Sequence, residues 1–101
     1  MAAAFKAETT YLRGWATSYF DEVSWSPEAG RTMLTEAPLV VVRQVFLSGR
    51  VVWADKSDSC GAEWEVIGSA VDGDRLNLRL WVHCDEYRVR ILRITVLRSG
   101  R

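Results

Sequence analysis

Arg75-Leu76-Asn77-Leu78-Arg79-Leu80-Trp81-Val82-His83 alternates apolar and polar residues without a break. Successive side chains on a strand point to opposite faces. Leu76, Leu78, Leu80 and Val82 therefore share a face that needs covering, and Arg75, Asn77, Arg79, Trp81 and His83 share the other. Residues 84–86 follow as a turn. Beyond them Val89 and Ile91 keep one parity, whereas Leu92, Ile94 and Val96 take the opposite one. A slip of one residue reverses every side chain, so a bulge near Ile91 and Leu92 is the economical explanation. Arg93 lies past that bulge and is expected to leave the arginine face. Toward the N-terminus, Asp72-Gly73-Asp74 is a tight hairpin signal, residues 63–71 form a strand, 55–61 a polar loop and 51–53 a short strand.

Helical signals precede the strands. Ser26 is a capping residue, Pro27 suits the first helical position and Glu28 favours the positive end of the dipole, which predicts a helix over 27–36. Pro38 restarts the pattern. Leu39, Val42, Val45 and Phe46 recur at helical spacing, with Gly49 as the stop, although the valines also suit a strand. Residues 9–20 mix aromatic and polar side chains and admit either a short helix or an edge strand. The expected fold is α+β: two N-terminal helices packed on one face of a four-stranded, mostly antiparallel sheet. Residues 1–22 are read as an N-terminal extension packing on a single domain of 23–101.

The formal charge of the 101 residues is zero, but it is unevenly spread. Residues 75–101 carry seven arginines against Asp85 and Glu86, a net of +5, and residues 1–74 carry six cations against eleven carboxylates, a net of −5. Such asymmetry points to a charged partner, either nucleic acid or an acidic protein surface. With 49% of residues hydrophobic, the composition is that of a globular domain with one core. No apolar run approaches the roughly 20 residues of a membrane span, and the start lacks the apolar core of a secretory signal, so a cytoplasmic location is expected. Cys60 and Cys84 stand apart, with His83 the only Cys or His nearby. That is too few ligands for a zinc site, and reduced thiols are expected rather than a disulfide. No Gly-rich nucleotide fingerprint is present, and no cofactor is expected.

Val23-Ser24-Trp25-Ser26-Pro27-Glu28-Ala29, a helix with Met33, a second helix ending Val45-Phe46-Leu47-Ser48-Gly49, then Glu65-Val66-Ile67-Gly68, Asp72-Gly73 and a closing Val89-Arg90-Ile91-Leu92 strand resemble, in order and spacing, the BrnT-like group of the RelE-type toxin superfamily. The resemblance covers roughly residues 23–97. It implies helices on one face of an antiparallel sheet and, in members with ribonuclease activity, basic and polar side chains on the other face that grip RNA and assist attack by the ribose 2′-hydroxyl. Related proteins often carry a His-Ala pair and two arginines in the first helix. Aligned on Ala29 and Met33, this chain has Glu28, Thr32 and Glu36 at those places. Carboxylates there would repel a phosphate, which argues against cleavage.

Arg75, Arg79, Trp81, Arg88 and Arg90 are the candidate binding residues, because arginine forks pair with phosphate or carboxylate and an exposed indole offers a stacking platform. The competing reading pairs these arginines with Glu63 and Glu65 across the sheet. Trp64 shares the parity of Val66, so Trp81 is the tryptophan expected at the surface. His83, the one histidine, has the chemistry of a proton shuttle. His83 and Arg90 are candidate catalytic residues only if the protein cleaves RNA, with Arg79 and Arg88 gripping phosphate. Two functions are expected to compete. The first is a prokaryotic or phage-encoded interaction protein, non-catalytic, that inhibits or occludes a nucleic-acid-handling partner, with a homodimer also compatible with the Trp/Arg face. The second is an endoribonuclease toxin with a cognate antitoxin.

Overall fold

The computed structural model describes residues 5–55, 61–70 and 73–97. Three helices, α1 (Lys6–Tyr19), α2 (Pro27–Thr35) and α3 (Leu39–Ser48), accompany five strands: β1 (Ser24–Trp25), β2 (Arg50–Ala54), β3 (Ala62–Ser69), β4 (Arg75–His83) and β5 (Arg88–Leu97). The α+β class agrees with the sequence reading, but that reading expected two helices and four strands. Residues 9–20 lie within a helix and its 3-10 continuation, and Ser24–Trp25 adds a strand. The sheet order is β1-β5-β4-β3-β2. All neighbours are antiparallel except β1, which runs parallel to β5 with Ser24 opposite Arg90 and Trp25 opposite Ile91. Two residues give no periodicity to read; their pairing is set by where β5 lies.

β4 behaves as its alternation dictates. Leu76, Leu78, Leu80 and Val82 are all buried, while Asn77, Arg79, Trp81 and His83 are half-buried and Arg75 is exposed. The apolar face is covered by α1 and α3. Leu12, Trp15 and Ala16 of α1 recur at helical spacing and join Val42, Val45 and Phe46 of α3 in one core with the sheet. Fully burying a side chain of the size of Leu12, Val42, Val45 or Phe46 is worth roughly 1.5–3 kcal/mol. Trp15 and Phe20 bring their rings to 5.9 Å and 5.1 Å from Phe46, and Tyr11 meets Trp64 edge-on at 6.0 Å. The described part of residues 1–22, the extension expected to pack on the domain, supplies four core side chains, Leu12, Trp15, Ala16 and Phe20.

α2 starts as its sequence signals indicate. The Ser26 hydroxyl accepts from the Ala29 amide at 3.0 Å, Pro27 opens the helix and Glu28 lies in its first turn. The same hydroxyl donates to the Leu92 carbonyl at 2.7 Å. Leu92 is the extra residue of the bulge: Arg79 faces Arg93, the next pair is Leu80 with Ile91, and Leu92 has no partner of its own. The bulge near Ile91 and Leu92 is thus present, but its effect on Arg93 is the reverse of that expected. The extra residue restores the parity lost along β5, so Arg93 faces Arg79 on the outer face.

α3 ends at Gly49 for a steric reason. Gly49 sits at φ −78°, a backbone any residue adopts, and its amide donates to the Val45 carbonyl at 2.8 Å. A Cβ there would lie 2.6 Å from the carbonyl oxygens of both Ile67 and Val45. Gly49 therefore lets the chain turn from α3 directly against β3. The sheet edges are guarded as well. β2 is short and bulged between Val51 and Trp53, with the Val51 amide donating to the Thr9 hydroxyl of α1 at 2.9 Å, and β1 is only two residues long. Short, bulged or covered edges resist strand addition by other chains. None of the described helices is long and apolar enough to cross a membrane.

Candidate functional site

The outer face of the sheet is a field of paired charges. In the register of β3 and β4, Glu63 lies opposite Trp81 and Glu65 opposite Arg79. Arg79 reaches Glu63 at 2.9 Å and Glu65 at 3.7 Å, and the Asn77 amide donates to Glu65. Its guanidinium also lies over the indole of Trp53, 5.0 Å from the ring centroid. A cation over an indole is held by the ring's negative face. The β2 bulge places Trp53 here: Val51 faces the core, and the extra residue brings Trp53 opposite Glu65 on the outer side. The sequence gives no sign of this, because a bulge in a five-residue strand leaves no alternation to interrupt.

α2 lies along β5 and carries Glu28 to the margin of this face, where it meets Arg93 at 3.4 Å. Glu28, Glu63, Glu65, Asn77, Arg79 and Arg93 line an open recess of about 460 Å³. Glu28 thus neutralises an arginine of this chain.

The other candidate residues gather toward β1. Trp81 faces Arg90 and His83 faces Arg88 across the β4–β5 ladder. With Glu22, Ser24, Glu86 and Tyr87, the side chains of Trp81, Arg88 and Arg90 line a second recess of about 460 Å³. Arg88 lies 3.5 Å from Glu86, whereas Arg90 has no carboxylate within 4.0 Å among the described residues. Arg75, also a candidate, sits at the far end of β4 opposite Leu97, outside this group. Trp81 is half-buried, and Gly61, at φ 136°, packs directly on its ring, where a Cβ would collide. The tryptophan most exposed on this face is Trp53, at 40%, and not Trp81 as the parity argument expected.

His83 is poorly equipped as a proton shuttle. Its ring stands 5.9 Å from that of Trp81, its Nδ1 is buried without a hydrogen-bond partner, and no carboxylate among the described residues lies within ion-pair distance. General acid–base work requires an orienting partner and an accessible proton path. Cys84 is no better as a nucleophile. Desolvation by burial, followed by the charge of Asp85, raises the pKa of its thiol above the usual value, against a lowering hydrogen bond from Tyr11. A raised thiol pKa means less thiolate. The pairing of Cys60 lies outside the described residues. Among the described residues no group of three His, Cys, Asp or Glu side chains could hold a metal ion.

The turn carrying Cys84 is gripped by α1. The Tyr11 hydroxyl donates to the Cys84 carbonyl at 3.2 Å and the Trp15 indole N–H to the Tyr87 carbonyl at 2.8 Å. Tyr19 stacks on Tyr87 at 5.4 Å. Tyr87 itself takes φ 55°, a left-handed backbone that a tyrosine adopts only when its surroundings impose it. Burial pushes the Tyr11 phenol up to about 12, with the charges of Cys84 and Tyr87 adding to the effect. No family model, curated protein or solved structure matches this chain.

Proposed function

We propose that this protein is a small, non-catalytic interaction protein, prokaryotic or phage-encoded, on a RelE/BrnT-like scaffold, and that it occludes a nucleic-acid-handling partner protein with the outer face of its sheet. One observation carries the reading: in the middle of that face Arg79 and Arg93 lie side by side, flanked by Glu63 and Glu65 on one side and Glu28 on the other, with each arginine in an ion pair. A polyanion gains affinity by meeting uncompensated cations and releasing counterions. Here each of these two cations already answers a carboxylate. A protein surface of mixed charge fits such a face, and Trp53, Trp81, Arg79 and Arg90 belong to the residue types enriched at interface hot spots. Affinity purification of the tagged chain should recover one dominant partner, lost on Trp81→Ala and weakened on Arg79→Glu. Unchanged recovery by both variants would place the interface elsewhere.

A second reading, an endoribonuclease toxin neutralised by a cognate antitoxin, is favoured by the convergence of His83, Arg88, Arg90 and Trp81 at one end of the sheet. It requires growth arrest on induction and RNA cleavage by the purified chain, with both abolished by Arg90→Ala or His83→Ala.

A further inference from the structure

One corner of the molecule breaks the pattern of paired charges. The chain leaves α3 at Ser48 and Gly49 and enters β2 at Arg50. There Arg13, Ser48, Gly49, Arg50, Ile67, Gly68, Ser69 and Arg75 enclose a recess of about 300 Å³. Its lining holds three guanidiniums, two serines and no carboxylate. In the recess beside Glu28, by contrast, each of two arginines is paired with a glutamate.

Register brings these residues together. Arg50 faces Ile67 on β3, and Ser69, two residues further along β3, faces Arg75 on β4. Arg50 and Arg75 thus flank β3 from either side on the same face. Two strand spacings and two residues of rise separate their Cα atoms by roughly 12 Å, a span that two arginine side chains bridge around a small anion. Arg13 arrives from α1 on the other side of α3's end. Its Nη2 donates to the carbonyls of Gly49 at 2.9 Å and Ser48 at 3.4 Å, so part of its charge already answers the negative end of α3. Arg50 and Arg75 have no carboxylate within 4.0 Å among the described residues. Two of the three arginines come from the acidic part of the sequence, so the corner is positive by folding and not by local composition.

We propose that this corner is an anion site for a phosphate group on a small molecule, such as pyrophosphate or a nucleoside diphosphate. Guanidinium forks match phosphate oxygens in pairs, and the Ser69 hydroxyl can donate to one left over, whereas the Ser48 hydroxyl already donates to the Gln44 carbonyl at 2.8 Å. The volume suits one or two phosphate groups and leaves a bulky attached moiety in solvent. The site lies on the same outer face as the proposed partner contact but at its far end, beyond the paired charges around Arg79, and anion binding there does not depend on that reading.

Titration of the intact chain with inorganic pyrophosphate, by calorimetry at about 0.15 M ionic strength, tests the proposal. Binding should raise the melting temperature. Arg50→Gln and Arg75→Gln should each weaken binding by about tenfold or more, as expected for a charge-assisted hydrogen-bonding partner. Both positions are exposed, so these variants should melt close to the parent without ligand. Arg43→Gln, on the exposed side of α3, should bind as the parent does. Equal binding by all three variants overturns the proposal, as does the absence of pyrophosphate binding. A single-stranded RNA that binds through Arg50 and Arg75 while pyrophosphate does not would make the corner a nucleic-acid contact and also defeat the proposal.

Discussion

The two faces of β4 are built from the same nine residues and obey different physics. Leu76, Leu78, Leu80 and Val82 point into a close-packed interior where each methylene has partners on all sides. Arg79, half exposed one residue away, satisfies its charge through Glu63, Glu65 and the Trp53 ring, all reachable by solvent. The first face holds the fold and tolerates little change. The second contributes little to stability and is free to serve recognition.

The sharpest way to break that contrast is Leu80→Ala. Its cavity should cost about 2–5 kcal/mol in denaturant unfolding; a cost below about 1 kcal/mol would mean that the core is less tightly packed than its burial implies. Gly49→Ala follows at about 1–3 kcal/mol, because the added methyl meets two backbone oxygens and neither can move cheaply.

Tyr11, packed against Trp64 on the inner side, gives a pH-dependent test. Its folded-state pKa of about 12 stands above the usual 10.0. Below pH 10 the phenol is neutral in both states and its contribution is fully present. Between pH 10 and about 12 the unfolded chain releases the proton first, so stability falls as pH rises through that window. Tyr11→Phe should remove this part of the alkaline slope while leaving the neutral-pH profile flat. An identical slope in the variant would assign the effect to other groups.

On the outer face the changes should be small. Arg79→Ala should alter stability by less than about 1 kcal/mol, since its ion pairs are substantially exposed. Smaller still is the coupling between Glu28 and Arg93, where a double-mutant cycle should return less than about 0.5 kcal/mol. A coupling several times larger would mean that this pair anchors α2 to β5 and belongs with the structural face.

Elements governed by local chemistry were legible in the sequence. The alternation of β4, the bulge in β5 and the Ser26-Pro27-Glu28 start of α2 each follow from rules that act within a few residues. β1 was not legible, because a two-residue parallel pairing is imposed by tertiary position. Residues 9–20 were ambiguous for another reason: polar positions such as Thr9 and Arg13 turn toward backbone groups of β2 and α3, and so blur the amphipathic pattern. Of the candidate face, the residues were found but their partners were only one of two open readings, since whether Arg79 reaches Glu63 depends on register. Trp53 escaped notice because a bulge turns it outward. Arg13 and Arg50 escaped because their convergence with Arg75 joins three elements distant in the chain.

The grip of α1 on the turn after β4 also shapes how the chain acquires its structure. Tyr11 and Cys84 are 73 residues apart, and Trp15 and Tyr87 are 72. Contacts of such separation form late, because the loop between them must be closed before they reward it. The first helix to be made therefore waits for one of the last turns. Trp15 and Phe20 can meet Phe46 of α3 sooner, but the hold on the turn needs β4 and β5 paired. A contact formed that late acts mainly on the way out, so weakening the Trp15–Tyr87 hydrogen bond should speed unfolding more than it slows folding.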